Sequence, residues 1–212
     1  MTRMEEGDLV KIELTGKLSD GSVFETTDEN LAKSSRIWSN KSKYGARMVL
    51  VGRGAMIAGL EEEISKMKVG EKKKIIASVD KAFGPKHSEL VRVMPIREFE
   101  KHGVNAIPGL MITMDGVPAM VKSVSSGRVM LDFNHPLAGQ ELSYDIHLLE
   151  VVNKPEEKAQ ALAQQFGAKL KIEADGKDKK VIIEKGEVSK TKGLEASLKA
   201  CLGDWAKISI SE

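Results

Sequence analysis

MVLVGRGAMIAGLEEEISKMKVGEKKKIIASVDKAFG, residues Met48–Gly84, decides how the chain is read. The apolar run MVLVG (48–52) predicts a strand, and Gly52 and Gly54 punctuate a loop that leads into a short amphipathic helix. Leu60, Ile64 and Met67 share one helical face. Glu61, Glu62 and Glu63 fill the first turn, where the helix dipole favours acids, Lys66 and Lys68 fill the last, and Gly70 stops it. KKIIASV (73–79) alternates as a strand, and KAFG (81–84) turns. A helix this short cannot stand alone in water, so its apolar face must lie on a sheet, and the two flanking strands supply one.

The 212 residues suffice for one good core or for about two to three small domains. Hydrophobic residues at 41% mark a globular, soluble chain. Aromatics are only 4%, so aliphatics and ten methionines must do most of the packing. A net charge of +2 makes no electrostatic case for a nucleic-acid partner, and EKKKII (71–76) reads as the solvated start of a strand. The single cysteine, Cys201, rules out an internal disulfide, fits a reducing compartment and lies on the apolar face of a predicted helix. MTRMEEGDLV lacks the apolar core of a signal peptide and no segment reaches membrane-spanning length, so the reading is of a cytoplasmic protein with no membrane partner.

DLVKIELTGKL (8–18) alternates Val10, Ile12 and Leu14 against Lys11, Glu13 and Thr15, the period of a half-buried strand, and a turn at 19–22 leads to a second strand from Val23. The polar stretch 26–47 reads as a surface bulge that Trp38 and Tyr44 pin to the body. PIREFEKHG (95–103) predicts a short helix, followed by a three-stranded meander: LMITM, an Asp115-Gly116 hairpin turn, VPAMVKSV, a Ser-Ser-Gly turn and RVMLDF. Glu141–Val151 reads as a strand. Beyond Asn153, a helix opened by Pro155 and closed by Gly167 precedes two strands about an Asp175-Gly176 turn. A second helix with Leu194, Leu198, Cys201 and Leu202, stopped by Gly203, and a last strand with Ala206, Ile208 and Ile210 complete the chain.

Three linked elements of the opening stretch closely resemble the centre of FKBP-type peptidyl-prolyl isomerases: the glycine-bounded loop-to-helix step from Gly52 to Gly59, Met67-x-x-Gly70-Glu71, and Ala82-Phe83-Gly84. The segment Val91–Phe133 reads as an insertion before the last strand, and with DFNHPLAG (132–139) it resembles the SlyD-like branch of that family; the resemblance covers residues 8–152. The last part resembles, with lower specificity, the extra C-terminal domain of long archaeal members. The resemblance implies an α+β fold: an antiparallel sheet wrapped on a short helix, an inserted small β-rich flap domain and a C-terminal α+β domain. Residues 1–85 and 134–152, about 100 in all, would form the isomerase domain, 86–133 the flap and 153–212 the C-terminal domain.

The activity implied is rotation about the peptide bond preceding proline. No bond to another atom is made or broken, so the site needs only an apolar pocket that favours the twisted amide. Carried over position by position, Phe24, Glu25, Ile57, Phe83 and Tyr144 would be the catalytic residues and Leu14, Met56 and Leu60 the substrate pocket. Phe24 and Tyr144 would be walls, Leu60 the floor, and the Ile57 amide would hold the substrate carbonyl. Leu14, Leu60 and Phe83 stand where many members carry tyrosine, tryptophan and tyrosine, which implies an aliphatic pocket with weaker affinity for macrocyclic inhibitors. By periodicity alone, every member of this set except Glu25 fits a core position.

Five of the ten methionines, Met94, Met111, Met114, Met120 and Met130, fall in the insertion, where a small core and an adaptable polypeptide-binding surface both call for them. The resemblance favours a chaperone surface at Ile107, Pro108, Leu110, Met111 and Ile112. The partners implied are unfolded or nascent polypeptides containing X-Pro bonds, with a homodimer contact or docking on a partner such as the ribosome open to residues 153–212. The alternative is a non-catalytic polypeptide-binding chaperone that retains the fold. His87, His102, His135 and His147 are dispersed and no histidine- or cysteine-rich tail occurs, so no metal and no cofactor are expected.

Overall fold

The computed structural model describes residues 4–175, 178–184 and 188–210. The chain divides into two compact units, one running to Lys81 and resuming at Glu141, the other comprising Ala82–Gln140.

The first unit is built on a five-stranded antiparallel sheet. Its strands are β1 (Leu9–Lys17), β2 (Val23–Thr26), β3 (Arg47–Leu50), β4 (Lys72–Ala77) and β9 (Leu142–Val152). The order is β2-β1-β9-β4, and β3 pairs with β1 beyond the end of β2. Thr27 holds that junction: Leu14 N donates to its Oγ1 at 3.0 Å, and the hydroxyl donates back to Leu14 O at 3.2 Å. Alternation turns Val10, Ile12, Leu14, Tyr144, Ile146 and Ile75 inward, all buried.

Helix α2 (Ala58–Ile64) lies against β4 through Gly59, where a Cβ would come 3.1 Å from that of Ala77. The helix is shorter than its sequence predicts. It ends at Ser65, so Lys66, Met67 and Lys68 form the turn beyond it. Met67 is nonetheless buried, because the last turn unwinds while the apolar period still delivers the side chain to the core. Glu63 accepts from Lys66 at 2.6 Å and from Lys73 of β4 at 2.7 Å, which ties helix to sheet.

Between β2 and β3 the polar stretch contains an unforeseen helix, α1 (Glu29–Ser34), capped by Asp28 through the amides of Asn30 and Leu31. Tyr44 braces the loop by accepting from Ser39 N at 2.9 Å. Trp38 does not pin it: the indole is 46% exposed, held at its edge by a hydrogen bond to Glu29 and flanked by Lys33. Its N–H has a partner on the surface, so nothing draws the ring inward.

The C-terminal segment contributes α4 (Pro155–Phe166), β10 (Leu170–Asp175), β11 (Asp178–Ile183), α5 (Val188–Leu202) and β12 (Lys207–Ile210). Pro155 opens α4, where a missing N–H costs nothing, and Gly167 closes it with a left-handed φ of 65°. The sheet order is β10-β11-β12, antiparallel and then parallel. Gly176 of the expected turn lies outside the described residues. Leu162, Val181, Ile183, Leu194 and Leu198 share one buried cluster with Leu9 of β1, Leu50 of β3 and Val152 of β9. These helices therefore cover one end of the outer face of the first sheet. Burial raises the Cys201 thiol to about 11, so it behaves as a packing group.

The second unit holds a sheet of order β5-β8-β7-β6, formed by β5 (Val91–Pro95), β6 (Met111–Met114), β7 (Val117–Ser125) and β8 (Arg128–Asp132). β6, β7 and β8 are the three-stranded meander expected, and β5 adds a fourth strand that the sequence reading did not foresee. VRVMP runs straight into helix α3 (Ile96–Lys101) at Pro95, with no turn residues to separate strand from helix. Asp115-Gly116 and Ser126-Gly127 all have positive φ, the conformation that tight two-residue hairpins demand. Phe99 of α3 packs with Ala119, Val121, Val129 and Leu131 on one face of the sheet. On the other face Val91, Val93, Met111 and Met130 are exposed.

Candidate functional site

The site begins with a glycine. Register places Gly16 opposite Glu25 on one neighbouring strand and opposite Tyr144 on the other. A Cβ at residue 16 would lie 2.6 Å from Phe24 Cζ and 2.9 Å from Tyr144 Cε1, so only glycine lets both rings close over the strand. They meet edge to face, centroids 5.6 Å apart and planes at 90°. Phe24 is half-buried and Tyr144 buried. The two predicted walls are thus brought together by strand pairing, whereas Leu14 and Leu60 are sealed into the core at 2% and 1% exposure.

Next to Phe24, the Glu25 carboxylate accepts from Arg47 Nη1 at 2.8 Å, both side chains being a little over one-third exposed. Arg47 Nε is buried with no hydrogen-bond partner among the described residues. Burial raises the Tyr144 phenol to about 12, the Glu25 charge adding to the shift and Arg47 opposing it. The hydroxyl is therefore protonated at neutral pH and a potential donor, without a hydrogen-bond partner among the described residues.

Met56 and Ile57 stand half-buried at the entry to α2. Met56 N donates to Glu61 Oε1 at 3.3 Å. Ile57 is the residue preceding the helix, in extended conformation at φ −62° and ψ 148°. Its carbonyl accepts from Leu60 and Glu61, while its amide donates to no acceptor among the described residues. Phe83 belongs to the second unit, where its ring stacks on His135 with centroids 3.9 Å apart and planes 5° from parallel.

Sequence reasoning does not single out Gly16 or Arg47, nor the stacking of His135 on Phe83. A glycine inside an alternating strand is the available signal for the first, since such a residue often marks a close approach. Nothing local points to Arg47 or to the partner of His135. In the second unit Ile107, Pro108 and Met111 are exposed, but Leu110 and Ile112 pack against the Phe99 cluster. A hollow of about 550 Å³ on the sheet is lined by Glu13, Asp28, Lys72, Lys74, Asp145 and His147 among others, with Leu14 and Ile146 also contributing. Among the described residues no cluster of His, Cys, Asp or Glu could hold a metal ion, and no helix is long and apolar enough to cross a membrane.

Comparison with known proteins gives these features a family. The sequence matches the family described as FKBP-type peptidyl-prolyl cis-trans isomerase over residues 1–98, and the one described as FKBP26, IF domain, over residues 92–137. It is 33% identical over 148 residues to the short-type peptidyl-prolyl cis-trans isomerase of Methanocaldococcus jannaschii, an alignment covering 70% of this chain and 94% of that protein. It is 30% identical over 152 residues to the FKBP-type 16 kDa peptidyl-prolyl cis-trans isomerase of Escherichia coli, covering 70% and 93%. With the SlyD isomerase of Helicobacter pylori it shares 31% over 134 residues, covering 61% and 71%. The conjunction of these matches with the antiparallel sheet, the short helix entered at Ile57 and the aromatic pair over Gly16 shows that the chain belongs to the FKBP-type peptidyl-prolyl cis-trans isomerases.

Proposed function

We propose that Phe24, Glu25, Ile57 and Tyr144 make up the isomerisation site, with Leu14, Met56 and Leu60 as the apolar pocket behind it. The observation that carries the reading is the Phe24–Tyr144 corner that Gly16 makes room for. Twisting a prolyl amide removes its resonance over a barrier of about 18–20 kcal/mol. Apolar walls favour that state because they withdraw the water that stabilises the planar, polar amide. The unused Ile57 amide is a donor available to the substrate carbonyl as it rotates. The Glu25–Arg47 pair keeps a carboxylate fixed beside Phe24 without leaving it unpaired.

The exposed apolar groups of the second unit, Ile107 and Met111 together with Val93 and Met130, support its action as a chaperone that holds unfolded or nascent polypeptides containing X-Pro bonds. Thioether side chains adapt to varied partners, which suits clients of no fixed sequence.

A protease-coupled assay on Ala-x-Pro-Phe peptides tests the site: Phe24→Ala or Tyr144→Ala is expected to slow isomerisation far more than it lowers stability. Deletion of residues 91–133 should abolish suppression of aggregation and slow isomerisation of protein substrates while short peptides are turned over normally. Parallel loss of fold and rate in the first case, or unchanged protein refolding in the second, would remove the corresponding assignment.

A further inference from the structure

We propose that Arg47 and Tyr144 form a second anchor for the polypeptide substrate, their free side-chain donors sharing one backbone carbonyl outside the amide that turns; this rests on the placement of the prolyl site at the Phe24–Tyr144 corner. Strand register brings the two groups to one face. Ile12, Leu14 and Gly16 follow one another on the inner side of β1. Arg47 of β3 stands opposite Ile12, while Glu25 of β2 and Tyr144 of β9 both stand opposite Gly16. The pairing of β1 with β2 slips here, Gly16 matching Glu25 and Lys17 matching Val23, so Phe24 is the extra residue of a bulge. A bulge re-aims side chains, which lets the neighbours Phe24 and Glu25 serve the same corner. The Arg47 side chain reaches in from the Ile12 position until Nη1 donates to Glu25 at 2.8 Å.

The guanidinium is held unequally at its two ends. Among the described residues, Arg47 Nε is the one fully buried side-chain nitrogen or oxygen left without a hydrogen bond, yet the side chain as a whole is 38% exposed. The stem end is therefore packed inside and the outer nitrogens open outward, which fixes the direction of the fork. Glu25 takes Nη1, whereas Nη2 has no partner among the described residues and is not enclosed. The Tyr144 hydroxyl is in the same state, an open donor on a ring that is itself buried. Burial keeps it protonated, and the charges of Glu25 and Arg47 both act on it, so it stands near the pair.

The chemistry of the corner selects the acceptor. An acidic group would meet the Glu25 carboxylate and a basic one the guanidinium, so the acceptor that fits is neutral. A peptide carbonyl is neutral and has two lone pairs, one for Nη2 and one for the hydroxyl. The carbonyl that rotates is assigned to the Ile57 amide, so the anchor takes another. A carbonyl that stays still is held alike in the planar and the twisted states. It steadies one side of the bond while the other turns, and its contribution falls on KM and not on kcat.

Two substitutions remove the donors and keep everything else. Arg47→Lys retains a cation for Glu25 without the second nitrogen of the fork, and Tyr144→Phe retains the ring. In the peptide assay each is expected to raise KM about three- to tenfold, the range a single hydrogen bond corresponds to, with kcat within about twofold of the parent and melting temperatures close together. Because the donors share one acceptor, the double variant should be no worse than the weaker-binding single one.

Parent-like KM in both variants overturns the proposal. So does a fall in kcat at constant KM, which would make the groups act on the twisted state, or an effect confined to one variant or additive in the double, which would mean no shared carbonyl. Should Arg47→Lys fail to fold, unchanged KM in Tyr144→Phe is sufficient to overturn it. Phe24→Ala is the control for the underlying reading: full turnover there removes the corner from the site and the anchor with it, whereas a slow Phe24→Ala beside normal KM in both polar variants removes the anchor alone.

Discussion

Phe24 and Tyr144 lie 120 residues apart in the chain, yet their rings meet at right angles across a glycine, centroids 5.6 Å apart. β1 makes the meeting possible, because Gly16 pairs on one side with the strand of Phe24 and on the other with that of Tyr144. Everything proposed about the prolyl pocket starts from that crossing.

Gly16→Ala tests it most directly. The new methyl would stand 2.6 Å from Phe24 Cζ, so the rings must part or the strand must move. Overpacking of this kind costs about 1–3 kcal/mol, and displaced walls should lower kcat/KM by at least about tenfold. Urea unfolding and the peptide assay measure the two effects. Full activity in the Gly16→Ala variant would show that the corner is not the site.

The Tyr144 phenol predicts an alkaline loss of stability. It ionises near 10.0 in the unfolded chain and near 12 in the fold. Between those values the unfolded state binds fewer protons, so stability is complete below pH 10 and declines as pH rises towards 12. Lysine titration is common to the parent and Tyr144→Phe, so the difference between their unfolding free energies isolates the phenol. It should shift against the parent above pH 10; parallel curves to pH 12 would contradict the assigned burial effect.

At the acid end the responsible group is Glu63. Hydrogen bonds from Lys66 and Lys73 hold its carboxyl at about 2, against an ordinary 4.5. Its contribution is present above about pH 4.5 and is lost as pH falls towards 2, when the proton breaks both pairs. Glu63→Gln should flatten the acid limb of a stability profile between those values, with solvent screening keeping the effect modest. Unaltered acid unfolding in this variant would mean that the α2–β4 tie contributes nothing.

Ile107→Ser combined with Met111→Ser addresses the chaperone surface. Both side chains are about half exposed, so the melting temperature should move by no more than about 2 °C. Suppression of aggregation of an unfolded client is expected to drop clearly while turnover of short peptides stays level. If aggregation were suppressed as well as before, the binding surface would have to be sought elsewhere.

Much of the fold is legible in the chain itself. Alternation locates β1, β4 and β9, the Asp115-Gly116 pair locates a hairpin, and Pro155 with Gly167 bounds α4. What is not legible has identifiable causes. β5 abuts α3 with no punctuation between them, and α1 is a single capped turn and a half in a polar stretch whose period is too short to register. Hydrophobicity directs Trp38 inward, whereas Glu29 satisfies its N–H at the surface. Leu110 and Ile112 read with Met111 as one binding run, but a strand turns alternate residues to opposite faces, and those two pack with the core.

The sequence by itself determined most of the residues that face inward, where every strand but β5 and most helices run, and, through the motifs of Met48–Gly84, the family. Only the tertiary structure decided which residues are neighbours: Gly16 beneath Phe24 and Tyr144, Glu25 with Arg47, and Phe83 on His135. Periodicity assigns a side chain to a face, but its partner depends on strand register and chain crossings between residues tens of positions apart, which no local pattern records.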